Sequence, residues 1–233
     1  SSLDRFETRT ASQAVFYELE EHLKWHNRRS VSTKSNWALR EVLRTRLIML
    51  SPFMPFLSNE LHELLTGDPL DTASWPNTSP EFDAPLIELE EDLIRALLSD
   101  IHEVKNVINK NPTLISIYTP ATWKYQVLET LIDSNLDLGV AMGILMQNDE
   151  LRSFGNEIKR LSTTLLTYLR QQSPERLSLL KSIEESNLYS SAKDFFEKEL
   201  GVTIEFHTED ENSIDPSGKA AQSIPFRPGI YME

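Results

Sequence analysis

From Asp4 to Arg29 the apolar residues Phe6, Ala11, Ala14, Val15, Leu19, His22, Leu23 and His26 recur at three- and four-residue steps. That is the period of a helix burying one face, and it predicts a single long helix here. Arg28 and Arg29 close it, where cations favour the negative pole of the helix dipole. The polar connector SVSTKSN offers Ser and Thr as N-caps. A second stripe (Trp37, Leu39, Val42, Leu43, Leu47, Leu50) predicts a helix over 36–50. Pro52 and Pro55 then interrupt the pattern, since proline lacks an N–H and clashes inside a helix. A third helix over Phe56–Leu65 is stopped by Gly67 and Pro69. Residues 68–85 hold four prolines and no periodicity, which reads as a linker or surface strap. The domain boundary is placed there, dividing 1–80 from 81–233.

The second part opens with the cleanest stripe in the chain: Leu86, Leu89, Leu93, Leu97, Ile101, Val104 and Ile108, ended by Asn111-Pro112. Thr113–Tyr118 (TLISIY) is short, β-branched and almost wholly apolar, as expected of a buried strand. Thr119-Pro120 supplies an N-cap and an N1 proline for a helix starting near Ala121. Further helices are predicted over Leu136–Met146, Asp149–Gln171, Glu175–Ile183 and Leu188–Leu200, the last stopped by Gly201. Val202–His207 alternates, with Val202, Ile204 and Phe206 on one face, and reads as a second strand. After a polar, acidic loop over Thr208–Gln222 the chain closes with IPFRPGIYME. Two strands alone are marginal, so Gly229–Met232 is expected to complete a small sheet as an edge strand, with Pro225 and Pro228 at its entrance. The fold class is therefore mainly α: a helical bundle followed by a mostly helical α+β domain with a small sheet.

Charge sharpens this division. Residues 1–80 hold 9 Lys/Arg against 10 Asp/Glu, whereas 81–233 hold 14 against 26. The net −13 taken alone argues against a nucleic-acid partner. Yet His22–Leu50 carries seven bases (Lys24, Arg28, Arg29, Lys34, Arg40, Arg44, Arg46) and one acid, Glu41. Such a cluster is either a solvated hairpin or a surface that follows phosphates. There is no cysteine, which removes disulfides, thiolate metal sites and a Cys nucleophile and makes the cytoplasm the default compartment. No apolar run nears the roughly 20 residues of a membrane span, so no membrane partner is expected. The start lies almost inside a helical pattern, as expected of a piece of a longer protein.

Catalytic constellations are poor, and none is assigned. His22 and His26 stand at i, i+4 but lack an HExxH context; on the apolar stripe they read as buried or half-buried structural histidines. His62-Glu63 has no second histidine at a ligating step, and no Gly-rich phosphate loop or GxSxG occurs. No metal site is expected. Acidic runs such as Glu88–Asp92 and Glu209–Glu211 read as solvated faces and loop charge. Ser32-Thr33-Lys34-Ser35 faintly echoes the KMSKS signature of class I aminoacyl-tRNA synthetases, but between two helices it reads as a capping connector.

Larger motifs say more. RFETRTASQAVFYELEEHLKWHNRR, then LREVLRTRLIMLSPFMPFLSNELHELLTG, then Trp75-Pro76 resemble the helical anticodon-binding domain of class Ia synthetases. That family ends a helix with L-x-P-F-x-P-H-x-x-E-E-L-W, matched by Leu50, Pro52, Phe53, Pro55, Glu60 and Leu61; Phe56, Asn59 and His62 depart from it. SDIHEV, Tyr118-Thr119-Pro120 running into Trp123-Lys124, DELRSFGNEIKRL and DPSGKAAQSIPFRPGIYME resemble the C-terminal extension of archaeal/eukaryotic-type leucyl-tRNA synthetases. The closing pattern of that type is matched by Asp215, Pro216, Lys219, Ala220, Pro225, Pro228, Ile230 and Tyr231.

The resemblance implies a tRNA-binding part of an enzyme that uses ATP and Mg for leucylation in catalytic segments absent from this chain, which itself holds no cofactor and is non-catalytic. It implies tRNA(Leu), body and long variable arm, as partner of a monomer, and no DNA. The residues assigned to tRNA on this basis are Lys24, Arg28, Arg29, Arg40, Arg44, Lys124, Lys219, Arg227, Ile230, Tyr231 and Glu233. Arg227 and Tyr231 would bond and stack splayed bases, and Glu233 with a terminal carboxylate would accept from base amino groups. The alternatives are an acidic helical protein-interaction scaffold and the same region of another aliphatic class Ia synthetase.

Overall fold

The computed structural model describes residues 5–30, 36–77, 84–108, 112–211 and 215–233. Asp4, the Ser32–Ser35 connector with Lys34, part of the 68–85 strap, Asn111 and the middle of the acidic loop lie outside the described residues. Two compact units are formed, Ser1–Asp83 and Ala84–Glu233.

In the first unit the expected long helix is one rod with a widened turn inside it: α1 (Thr8–Gln13), a π turn (Ala14–Glu18) and α2 (Leu19–Arg29). A π turn breaks the i→i−4 ladder, and a side chain from elsewhere meets it. Arg46, on α3 (Asn36–Leu50), donates to the Phe16 carbonyl (3.3 Å) and pairs with Glu20 (3.0 Å). Pro55 opens α4 (Pro55–Thr66) at N1, and Gly67 closes it at φ +87, a left-handed turn that glycine takes without Cβ strain. A 3₁₀ turn follows at Leu70–Thr72.

The second unit is built on α5 (Pro85–Ile108). Its stripe of Leu89, Leu93, Leu97 and Ile101 is buried to 5% exposure or less, each side chain contributing about 2 kcal/mol of apolar burial. Strand β1 (Leu114–Thr119) leads into α6 (Thr122–Asp133), followed by α7 (Leu138–Leu145), α8 (Asp149–Arg152), α9 (Gly155–Leu169) and α10 (Pro174–Leu180). Then come α11 (Glu185–Ser191), α12 (Lys193–Leu200), β2 (Thr203–Thr208), α13 (Lys219–Gln222) and β3 (Gly229–Met232). Sheet order is β2-β1-β3, with β1 parallel to β2 and antiparallel to β3. Ile117 at the centre faces Phe206 on one side and Ile230 on the other. Ile115, Ile117 and Ile204 sit in the core with Tyr189, Phe195 and Phe196.

Three expectations are corrected. The helix expected over Asp149–Gln171 is two, broken at Ser153-Phe154, and that over Leu188–Leu200 is broken at Ala192. Thr119 is no N-cap: it ends β1 and donates its hydroxyl to the His207 carbonyl (3.2 Å). The start of α6 is served instead by acids far along the chain. Glu209 accepts from the Ala121 N–H (3.0 Å), and Asp210 from the Thr122 N–H (2.8 Å) and hydroxyl (2.7 Å). These carboxylates, read from sequence as loop charge, stabilise the positive pole of α6. Among the described residues no helix is long and apolar enough to cross a membrane.

Candidate nucleic-acid interface

In the first unit the basic cluster flanks the connection from α2 to α3. Lys24 and Arg28 are exposed, and Arg29 is half-buried. The Arg28 guanidinium lies 5.4 Å from the centre of the Trp25 ring, a cation–π contact that orients it. Arg40 donates to the Leu65 carbonyl in the last turn of α4, where a helix presents open acceptors and negative potential. Arg44 grips both carboxylate oxygens of Glu41 (2.6–3.2 Å), and these bonds hold the Glu41 carboxyl below the usual range against the opposing effect of burial. Arg40 and Arg44 therefore both carry intramolecular work. His22 and His26 are exposed, which corrects the expectation of buried histidines; with Leu19, Leu39 and Val42 they line a shallow groove between α2 and α3. His62 is the buried one, its Nδ1 3.0 Å from the Asp68 carbonyl. Among the described residues no group of three or more His, Asp or Glu side chains could hold a metal ion.

In the second unit the assigned residues separate into interior and surface. Lys124 belongs to the interior, and its assignment to tRNA is corrected. It is 4% exposed, donates to the Ala221 (3.0 Å) and Ser223 (2.7 Å) carbonyls and pairs with Glu209 (2.7 Å). A buried ammonium tolerates that position only when so paired, and it fastens the 209–223 segment onto α6. Ile230 is also inside: its side chain is 8% exposed, so it holds β3 down rather than meeting a base. Lys219, half-buried, opens α13, and its carbonyl lies directly beneath Gly229. A Cβ at Gly229 would sit 2.2 Å from that oxygen, so glycine is required by close approach.

Arg227, Tyr231 and Glu233 remain at or near the surface and follow one another along the sheet edge. Glu233 continues the ladder beyond β3: its N–H donates to the Leu114 carbonyl (3.0 Å) and its carbonyl accepts from the Thr113 N–H (2.8 Å). The entrance is equally fixed. Ile224 and Arg227 exchange backbone hydrogen bonds (2.8 and 3.0 Å) around Pro225-Phe226, with Phe226 left-handed at φ +66 and 6% exposed.

That strained turn is held by Glu185, which sequence reading missed. Its Oε2 accepts from the Phe226 N–H (2.8 Å) and the Tyr125 hydroxyl (2.7 Å), while the residue is only 1% exposed. Burial pushes its carboxyl up to about 7, against the pull of those two donors. In the sequence Glu184-Glu185 looks like any solvated pair; the only local hint is Ile183 beside it.

A family profile described as "Anticodon-binding domain of tRNA ligase" matches residues 1–117, the whole first unit together with α5 and most of β1. The chain belongs to that family. Relatives align across both units. The leucine–tRNA ligase of Pyrococcus furiosus is 34% identical over 238 residues, that of Pyrococcus abyssi 32% over 237 and that of Methanosarcina barkeri 31% over 240. In each case all of this chain is covered, but only 23–24% of the relative. The resemblance carried by the quoted motifs thus extends over the full chain, which spans about a quarter of the length of these relatives.

Proposed function

We propose that this member of the anticodon-binding family is the tRNA-binding part of a leucyl-tRNA synthetase, docking tRNA(Leu) by its body and long variable arm. The observation that carries this reading is the alignment of both units, over the whole chain, to leucine–tRNA ligases. The geometry supports a division of labour. The α2–α3 cations Lys24, Arg28 and Arg29 meet phosphates, which position RNA without reading it. The braced edge formed by Arg227, Tyr231 and Glu233 presents a cation, an aromatic face and backbone groups to unstacked bases, the usual targets of sequence-specific RNA recognition. Leucylation with ATP and Mg, in the cytoplasm, is assigned to the remainder of such an enzyme, and the chain acts as a monomer.

The test is a titration with tRNA(Leu) and with tRNA(Ser), a second long-armed species, at several salt concentrations. The reading expects a preference for tRNA(Leu), weakening with salt, and an Arg227→Ala variant whose log K against log salt slope is shallower by about one. Equal affinity for the two tRNAs at every salt concentration would remove the leucine assignment. An affinity indifferent to salt would favour a protein-binding scaffold.

A further inference from the structure

Beside the terminal turn lies a cleft of 560 Å³, within the size range of small-ligand pockets. Its walls are α5 and α9, and the Ile224–Arg227 turn closes one end. The turn is rigid, because Phe226 is pinned by Glu185 and by the Ile224–Arg227 bridge, so this part of the cleft is preformed.

Most polar groups around it are acceptors, while the Tyr168 hydroxyl and the Gln171 amide add donors near the end of α9. Thr163, Thr164 and Thr167 line the α9 side, and each donates its hydroxyl proton to a carbonyl of its own helix: Lys159 (2.9 Å), Arg160 (3.2 Å) and Thr163 (3.2 Å). They are left presenting lone pairs. Asp100, half-buried on α5, adds a carboxylate to the opposite wall. Arg227, exposed at the mouth, supplies the cation and acts electrostatically on Asp100. Leu93, Ala96 and Leu165, with Pro225 and Phe226 at the closed end, give the cleft its apolar lining. The complementary ligand is flat and apolar in the middle, rich in N–H donors on one edge, and anionic at one end.

A nucleotide has that form, and a carboxylate discriminates among the bases. Guanine places N1–H and N2–H₂ side by side on its Watson–Crick edge, a pair that one carboxylate accepts together. Adenine and cytosine set a single amino group beside an unprotonated ring nitrogen, which repels a carboxylate, and uracil has one N–H between two carbonyls. We propose that this cleft is a pocket for one unstacked guanine nucleotide, with Asp100 accepting from N1–H and N2–H₂ and Arg227 meeting the phosphate. Assigning that guanine to a base of bound tRNA rests on the function proposed above; the chemistry is shared by a free guanine nucleotide.

The test is calorimetric titration of the whole chain with GMP and, separately, with AMP, CMP, UMP and inorganic phosphate. GMP is expected to bind in the millimolar range or better, about tenfold or more ahead of the other three mononucleotides. Asp100→Asn, isosteric at a half-buried position, should erase the preference, and Arg227→Gln should weaken all mononucleotides alike. Thr164→Trp, which fills the cleft from an exposed helix position, should abolish binding. An RNA hairpin carrying one loop guanine should displace GMP while the same hairpin with uracil does not; failure to displace it overturns the RNA source. No GMP binding, phosphate competing as well as GMP, or an unaltered Asp100→Asn variant would each overturn the pocket. In those cases retained tRNA(Leu) binding by the same sample leaves the broader function standing. GMP binding without tRNA binding would sink that function instead.

Discussion

Replacing Glu185 by Gln should remove one loss of stability that accompanies rising pH. The carboxyl is raised from 4.5 to about 7, chiefly because burial penalises its charged form. The folded state therefore keeps a proton that the unfolded chain has released between those two values. Stability from this group is complete below pH 4.5, falls as pH rises through 7 and levels off above. A difference of about 2.5 pKa units corresponds to about 3 kcal/mol across that window. Gln keeps an acceptor for Tyr125 and Phe226 but cannot ionise. It also places an amide donor where Oε1 now has no hydrogen-bond partner among the described residues, a constant cost of about 1 kcal/mol. Relative to wild type, Glu185→Gln should thus be slightly less stable at pH 5 and more stable, by about 2 kcal/mol, at pH 9. Urea unfolding at five pH values measures the difference, and at about 2–4 °C per kcal/mol a melting series would show it as well. Taking the difference between the two proteins cancels every other titrating group. A flat difference, or one that moves in favour of wild type as pH rises, would refute the reasoning.

Other perturbations follow from the same contacts. Lys124→Met should cost about 3 kcal/mol by leaving Glu209 without its buried partner, and adding Glu209→Gln should recover part of it; urea midpoints of the two single variants and the double variant check this. Gly229→Ala should cost about 2–4 kcal/mol, because the new methyl group meets backbone rather than a movable side chain, and the loss should be visible in thermal unfolding. Glu41→Gln should raise tRNA affinity a few-fold and steepen its salt dependence by about one unit of slope, since Arg44 is then released to a phosphate; unchanged binding would place Arg44 off the RNA path.

What could be read from the sequence was whatever depends on neighbours a few residues apart. The α5 stripe, the left-handed stops at Gly67 and Gly201, and the three strands of the sheet all have local signatures, and the structure bears them out. What escaped depends on distant partners. Lys124 between Trp123 and Tyr125 looks like a surface cation until Glu209, Ala221 and Ser223 surround it. Thr119-Pro120 has the signature of a helix start, but the parallel pairing with β2 claims Thr119 for the sheet. The π turn over Ala14–Glu18 has no pattern of its own, because the stripe on either side stays near helical period. Arg227 and Tyr231 were legible as surface chemistry, whereas Asp100 and the three threonines come together only once α5 and α9 flank the same cleft.

The sheet order carries a kinetic consequence. β1 lies in the middle, yet its partners come from far along the chain: β2 about 90 residues later and β3 about 110 residues later. Loop closure over such distances is slow compared with the local winding of α5 or α9. The helices should therefore form and pack before the sheet does, and β3 should add to an otherwise assembled unit. In a refolding experiment the pairing of Tyr231 with Ser116 should lag behind recovery of the helical signal, so a helical, compact stage should precede the edge proposed to meet RNA.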